Sequence, residues 1–111
     1  MCRKAAGGAF GAFFVANEKT VEWHGREHLT LYKSSPNLTR SFCKTCGTAV
    51  TGANPEISDG TIILAANMLE HDPDLPVIAV EYDADRICWH SKADKAPHYD
   101  GAFPNWHKLR P

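Results

Sequence analysis

The chain has 111 residues, of which 43% are apolar and 23% charged, a composition that fits one compact domain and excludes disordered, collagen-like and membrane-embedded chains. Its formal net charge of -1 provides no overall field that would attract nucleic acid or an anionic membrane, so neither is expected as a partner. No apolar run reaches the roughly 18 to 20 residues of a membrane-spanning helix, and the amino terminus lacks the apolar core of a secretory signal, which predicts a cytoplasmic protein.

Short segments rich in β-branched and aromatic residues recur along the chain between residues that favour turns. No sustained helical apolar period accompanies them, so the sequence predicts a mainly β fold, with a single helical turn within Ala65 to Leu69. The predicted strands, in chain order, are Ala9 to Val15, Thr20 to His24, Leu29 to Tyr32, Leu38 to Phe42, Thr48 to Thr51, Thr61 to Ala65, Val77 to Tyr82 and Arg86 to His90.

Aromatic side chains of the amino-terminal half are expected to fill the space between sheets. At the other end, the segment from Ala96 to Pro111 combines three prolines with three aromatic residues and is expected to pack as an irregular strap. The residues expected between the sheets are Phe10, Phe13, Phe14, Trp23, Tyr32 and Phe42.

Two of the four cysteines, Cys43 and Cys46, are separated by two residues and followed by Gly47. Thiolates at this spacing can bind one ion from a tight turn, and glycine permits the left-handed backbone that such a turn often needs. In a small chain without a secretion signal, a close cysteine pair is more often metal-binding or redox-active than a structural disulfide. The alternatives are therefore a metal ligand pair, a redox pair or two buried thiols.

The remaining polar candidates give weaker signals. Cys88 lies on a predicted strand, Arg86 to His90, and a thiol packed in the core is the favoured interpretation. His24 and His28 have the spacing of a helical metal pair, but Gly25 between them argues against a helix. Most of the six histidines are expected on the surface or in loops, and they are His24, His28, His71, His90, His98 and His107.

The segment from Tyr32 to Thr48 resembles the signature Y-x-S-S-x(4)-R-x-F-C-x-x-C-G-T of the glutathione-dependent formaldehyde-activating enzyme family, which includes the centromere protein V relatives. Cys2 to Phe10 is similar to the end of that family's C-x-C-x-x-C-R-[RK]-x-x-G-x-x-F segment. Ile87 to Ala93, and Asp100-Gly101 with Pro104, resemble its closing strand and D-G-x-P tail. The resemblance covers nearly the whole chain and is strongest around the two close cysteines.

This resemblance implies a single domain over residues 1–111 with an Mss4-like zinc-binding fold of short antiparallel strands in small packed sheets. Cys43 and Cys46 would supply half of a four-cysteine structural zinc site, and Cys2 would be the last ligand of a second, catalytic site. The chain starts one residue before Cys2, so the family's amino-terminal strand and its other cysteines are expected to have no counterpart. A site with one thiolate of three is not expected to hold zinc in the family's manner. The alternative for Cys2 is a frayed, exposed terminal thiol.

The implied activity is that of a zinc-dependent carbon-sulfur lyase acting on S-hydroxymethylglutathione or a related thiol adduct. The guanidinium of Arg40 would suit a carboxylate of glutathione, with a salt bridge on the strand surface as the alternative. Ser34 and Ser35 could present hydroxyls to the substrate, although serine before proline is also ordinary turn chemistry. The competing interpretation is a non-catalytic zinc or thiol binding module, and a sheet edge left open by a missing strand predicts a homo-oligomer.

Overall fold

The computed structural model describes residues 2–53, 60–72 and 74–101, and the side chain of Cys2 lies outside this description. The chain divides into two compact units, Met1–Glu81 and Tyr82–Pro111. The first unit begins with a short helix, α1 (Cys2–Ala6), and contains five antiparallel strands, so the prediction of a mainly β, antiparallel fold is confirmed. The strands are β1 (Phe13–Asn17), β2 (Leu29–Ser35), β3 (Leu38–Cys43), β4 (Ala49–Ala53) and β5 (Thr61–Ala65).

These strands form one five-stranded sheet in the order β1-β5-β4-β3-β2. Tight turns join β2 to β3 and β3 to β4, because Pro36 and Asn37 reverse the chain in the first connection and Gly47 does so in the second. β1 pairs with β5 from Phe13 opposite Ala65 to Asn17 opposite Thr61. β1 and β2 are therefore the two edges of the described sheet, and residues 18–28 have to cross from one edge to the other.

The strand register divides the side chains between two faces, because directly paired residues share a face and successive residues alternate. Two neighbouring cross-strand rows lie on opposite faces of the sheet. We call the face that carries the row with Ser41 the front face, and the face that carries the row with Arg40 the back face. The front row is Leu31, Ser41, Thr51, Leu64 and Phe14, and the back row is Tyr32, Arg40, Gly52, Ile63 and Val15. Cys43 pairs with Leu29 in the same register, which places it on the front face.

Small side chains make up the buried centre of the described sheet. Val50, Ala65 and Ser41 are 4%, 3% and 2% exposed, and no large side chain among the described residues is fully buried. The expected aromatic core is therefore wrong for Phe10, Phe13 and Tyr32, which are exposed, while Phe14, Trp23 and Phe42 are half-buried. Phe13 and Tyr32 lie on the edge strands β1 and β2, where no neighbouring strand covers their outer side in the described part of the chain.

Three predicted strands do not form. Thr20 to His24 follows a 3-10 turn at Glu18–Thr20 and pairs with no strand, and Val77 to Tyr82 has no regular structure. Arg86 to His90 forms a turn that leads into a second short helix, α2 (His90–Ala93). Residues with high strand propensity form a strand where a second strand pairs with them, and within the described residues none of these three segments has such a partner. The predicted helical turn within Ala65 to Leu69 is confirmed as a 3-10 turn at Ala66–Met68.

Within the second unit, the described residues form short turns. A 3-10 turn spans Asp83–Asp85, and the Arg86 guanidinium donates through Nε to Asp83 Oδ1 at 2.8 Å. Residues 96–101 carry no helix or strand, and the rest of the predicted aromatic strap, residues 102–111, lies outside the described residues. In the part of the chain that the structure describes, no helix has the length and apolar character needed to cross a bilayer.

Candidate functional site

The two close cysteines lie at a hairpin turn that we call the knuckle, residues Cys43 to Thr48. Cys43 ends β3, and its N–H donates to the Thr48 carbonyl at 2.9 Å, while the Gly47 N–H donates to the Cys43 carbonyl at 2.8 Å. Gly47 has a φ of 75°, in the left-handed region that a residue with a Cβ adopts only with strain. These two hydrogen bonds and this glycine fold the six residues back on themselves between β3 and β4.

The two thiols of the knuckle lie close together. The Cys43 thiol is half-buried and the Cys46 thiol is exposed, and no disulfide joins them. The backbone N–H of Cys46, then that of Thr45, and the Cys46 side chain hydrogen-bond to the Cys43 sulfur and lower the pKa of this thiol below its ordinary value, although partial burial opposes the shift. The role predicted for Cys43 and Cys46 as a pair of metal ligands stays a prediction.

A second connection holds the knuckle against the chain that precedes β2. The Lys44 N–H donates to the His28 carbonyl at 2.9 Å, and Lys44 Nζ donates to the Glu27 carbonyl at 3.3 Å. His28 and Glu27 belong to a 3-10 turn, Arg26–His28, that starts from Gly25 at a φ of 77°. The knuckle is therefore fixed both to its own strands and to the end of the connection between β1 and β2.

Sequence reasoning assigned no role to Thr48, Glu27 or His28, which all contact the knuckle. The Thr48 hydroxyl lies 3.1 Å from the Cys46 sulfur and orients this exposed thiol within the turn. Thr48 is the last residue of the signature, so its position beside the second cysteine could have been predicted from the sequence. The contacts from Glu27 and His28 use backbone carbonyls, which no side-chain pattern could reveal.

The predicted substrate-binding residues lie away from the knuckle thiols. Arg40 is three positions before Cys43 on β3, and the register places it on the back face, opposite Cys43. Ser34 donates through its hydroxyl to the Leu38 carbonyl at 3.1 Å, which closes the β2-β3 turn. Ser35 pairs with Leu38 in the same turn and is half-buried. The structure does not bring these three residues together with Cys43 and Cys46.

Cys2 is the first residue of α1, and its side chain, the predicted catalytic thiol, lies outside the described residues. The two basic residues that follow it, Arg3 and Lys4, are exposed on the same short helix. The role predicted for Cys2 therefore stays a prediction.

The described residues supply two soft donors for a metal, Cys43 and Cys46. A structural zinc needs four ligands, and no group of three or more His, Cys, Asp or Glu side chains converges within residues 3–53, 60–72 and 74–101. The described donor set is therefore half of a zinc site and does not by itself fit the complete group.

The remaining cysteine and the histidines have other surroundings. Cys88 is exposed in the turn before α2, so the predicted core position is wrong, because the strand that was to bury it does not form. His24 and His28 contact the carboxylates of Glu22 and Glu27 at 3.2 and 3.4 Å, and both imidazoles are exposed. His71 and His98 are also exposed, His90 is half-buried, and His107 lies outside the described residues.

Fold and knuckle together define a small antiparallel β domain with a thiol pair presented on a hairpin. The family model of the "Glutathione-dependent formaldehyde-activating enzyme" matches residues 1–83 of the 111, about three quarters of the chain. The chain therefore belongs to the glutathione-dependent formaldehyde-activating enzyme family, which relates it to glutathione and formaldehyde at the level of the family. No curated protein and no solved structure matches the chain.

Proposed function

We propose that this protein is a carbon-sulfur lyase that forms and cleaves S-hydroxymethylglutathione or a closely related thiol adduct of formaldehyde. The observation that supports this most strongly is the family match over residues 1–83, which includes the whole sheet and the knuckle. In the forward direction, the thiolate sulfur attacks the carbonyl carbon of formaldehyde, a C–S bond forms, and the carbonyl oxygen takes up a proton. A cytoplasmic location is part of the proposal, because a reducing compartment keeps thiols such as Cys43 and Cys46 free.

Zinc is the cofactor that the family implies. In this proposal Cys43 and Cys46 supply two thiolate ligands of a structural site, and the remaining donors come from outside the described residues or from a second copy of the chain. The geometry in favour of this role is that both cysteines belong to one six-residue turn, which hydrogen bonds from the Cys43 and Gly47 N–H groups close. Cys2 is kept as the proposed catalytic thiol and ligand of a second site, with Arg40, Ser34 and Ser35 as proposed substrate contacts.

A direct test is the exchange rate between ¹³C-labelled formaldehyde and S-hydroxymethylglutathione, measured by NMR exchange spectroscopy. The two compounds interconvert spontaneously, so a catalyst raises the exchange rate in proportion to its concentration and leaves the equilibrium ratio unchanged. We expect this increase for the wild-type protein and for a Cys88→Ser control, and a loss of it for Cys2→Ser. An exchange rate that is independent of protein concentration would contradict the proposed lyase activity.

The alternative is a non-catalytic module that binds zinc or a small thiol through the same fold. The observation in its favour is that the described residues supply two thiol donors and no third ligand beside them. Binding of the unreactive analogue S-methylglutathione without any increase in the exchange rate would support this function over the lyase.

A homo-oligomer is the further partner that we propose. Each edge strand of the described sheet carries an exposed apolar side chain, Val15 on β1 and Leu31 on β2, which are 62% and 73% exposed. Pairing of an edge with a second copy would cover such a side chain and satisfy the edge hydrogen-bonding groups. Sedimentation velocity checks this, and a monomer at all concentrations would argue against it.

A further inference from the structure

Residues 74–81, which we call the apolar segment, are exposed along their whole length and have no regular structure. Val77, Ile78 and Val80 are 83%, 89% and 66% exposed, although valine and isoleucine are among the strongest strand formers. Within the described residues, no backbone hydrogen bond joins this segment to any other part of the chain. An exposed run of apolar strand formers with unpaired backbone groups has the properties of a strand that lacks a sheet.

Of the two edge strands of the described sheet, β2 is the more open. It is seven residues long, against five for β1, and residues 30–33 are all exposed, whereas exposed and half-buried residues alternate along β1. On β1 the Asn17 carbonyl already accepts a hydrogen bond from the Thr20 hydroxyl at 2.8 Å. The open side of β2 therefore offers the longer run of backbone groups to a further strand.

Hydrogen bonds on the paired side of β2 determine which of its backbone groups face the open side. The Lys44 N–H donates to the His28 carbonyl at 2.9 Å, so these two residues form a hydrogen-bonded pair. Because such pairs alternate along an antiparallel ladder, Thr30 and Tyr32 direct their N–H and C=O groups towards β3. The residues that direct these groups to the open side are Leu29, Leu31 and Lys33.

Charge also matches the apolar segment to β2. The segment carries two acidic residues, Asp74 and Glu81, and no basic residue, whereas β2 carries one basic residue, Lys33, and no acidic one. The other edge strand, β1, carries no charged residue. Because opposite charges across two strands stabilise their pairing, the acidic segment has a complementary partner on β2 and none on β1.

One antiparallel register between the apolar segment and β2 pairs apolar side chains with each other. It places Ile78 opposite Leu31 and Val80 opposite Leu29, so these four side chains lie on the front face. Leu31 is 73% exposed in the single chain, and this pairing would remove it and the two residues of the segment from water.

The same register also accommodates the charges and the proline of the segment. Pro76 lies opposite Lys33, near the start of the added strand, where its missing N–H is tolerated. Asp74 lies two residues further along, on the same face as Lys33. A shift by one residue would place Glu81 opposite Glu27 in one direction and opposite an apolar residue in the other.

We propose that the apolar segment of one chain adds to the open side of β2 in a second copy, as an antiparallel strand. Main-chain hydrogen bonds join the two, the apolar side chains fix the register, and in a symmetric dimer the contact is made twice. The inference rests on the homo-oligomer of the proposed function, for which it names the segment and the edge, and it is independent of the lyase activity.

Sedimentation velocity over a range of protein concentrations measures the strength of this association. We expect Leu31→Lys and Ile78→Lys each to weaken the dimer at least about 10-fold, because each variant places a charge among apolar side chains. The matched controls are Val15→Lys, on the exposed surface of β1, and Ala84→Lys, outside the apolar segment. Both controls are expected to dimerise as the wild type does.

A mixture of the two weakened variants tests directly whether the segment of one chain pairs with β2 of another. Leu31→Lys keeps an intact apolar segment, and Ile78→Lys keeps an intact β2. A dimer of one chain of each therefore retains one wild-type contact, whereas a dimer of either variant alone retains none. We expect the mixture to associate more tightly than either variant by itself.

Two results would overturn this pairing and leave the proposed homo-oligomer in place: no gain in the mixture, or a dimer that is lost in Val15→Lys and retained in Ile78→Lys. A wild type that is monomeric at all concentrations refutes both the pairing and the homo-oligomer. Circular dichroism of each variant separates a lost contact from a lost fold. The NMR exchange assay tests the lyase separately, since neither edge variant alters a proposed catalytic or substrate-binding residue.

Discussion

Cys43 and Cys88 both lie beside or within a predicted strand, but their structures differ. Cys43 directly follows the predicted strand Leu38 to Phe42 and lies at the end of a paired strand, whereas Cys88, within the predicted strand Arg86 to His90, is exposed in a turn. Backbone hydrogen bonds from Cys43, Gly47 and Lys44 tie the knuckle to its strands and to the preceding turn. The difference shows that the partners a segment finds in the fold, rather than its own composition, determine how a cysteine is presented.

The largest expected difference between the knuckle and the segment around Cys88 is in metal content. If the knuckle provides the thiolates of a structural zinc, the purified wild type contains about one zinc per chain or more. The double variant Cys43→Ser, Cys46→Ser is expected to lose the zinc of this site, and Cys88→Ser is expected to retain it. Elemental analysis by mass spectrometry after gel filtration measures this, and equal zinc in the double variant and the wild type would remove the knuckle from the metal site.

The next largest expected effect is on the free energy of unfolding, when Gly47 of the knuckle is replaced. Gly47→Ala adds a Cβ that meets no atom within 4 Å, so its cost comes from the left-handed φ of 75° alone. We expect a loss of about 1 to 2 kcal/mol in the free energy of unfolding, measured in urea. Gly8→Ala is the control in the same unit, because Gly8 lacks a positive φ and its added Cβ makes only an ordinary contact. Equal effects at the two positions would mean that the knuckle backbone is not constrained.

Much of the first unit was predictable from local sequence. β5 is found at the predicted residues Thr61–Ala65, and β2, β3 and β4 differ from prediction by a few residues at their ends, because neighbouring segments pair through turns that contain Pro36, Asn37 or Gly47. The knuckle was predictable for the same reason.

What the sequence could not supply was pairing over long distances. Val77 and Ile78 have high strand propensity but are 83% and 89% exposed, because they find no partner strand in the described part of the chain. Cys43 and Arg40 lie on opposite faces because they are three positions apart on one strand, but the residues beside them on β2 are known only once β2 and β3 are paired. The Arg26 guanidinium lies over the Trp23 ring within an irregular connection, for which no periodic pattern exists.

Cys43 is also expected to differ from an ordinary cysteine in the pH dependence of its reactivity, because hydrogen bonds from Cys46 and Thr45 lower the pKa of its thiol. In metal-free protein we expect the alkylation rate of Cys43 by iodoacetamide to rise with pH through a midpoint below the roughly 8.5 of a free cysteine. Peptide mass spectrometry measures the midpoint, with N-acetylcysteine as the reference thiol. Cys46→Ser is expected to raise it only in part, since the backbone donors remain. Because the folded state releases this proton more readily than the unfolded state, stability contributed by Cys43 is present above its unfolded pKa and is lost as the pH falls through the folded pKa.

The smallest expected effect concerns the side chain of Lys44. Its Nζ donates to the Glu27 carbonyl at 3.3 Å on the surface, where water competes for both groups, while its backbone N–H donates to the His28 carbonyl at 2.9 Å. Lys44→Gln removes the first contact and leaves the second, so we expect the free energy of unfolding to fall by about 0.5 kcal/mol or less. Lys33→Gln, on the exposed edge strand β2, controls for the change in charge. A loss well above that of the control would show that the side chain, and not the backbone, holds the knuckle to the preceding turn.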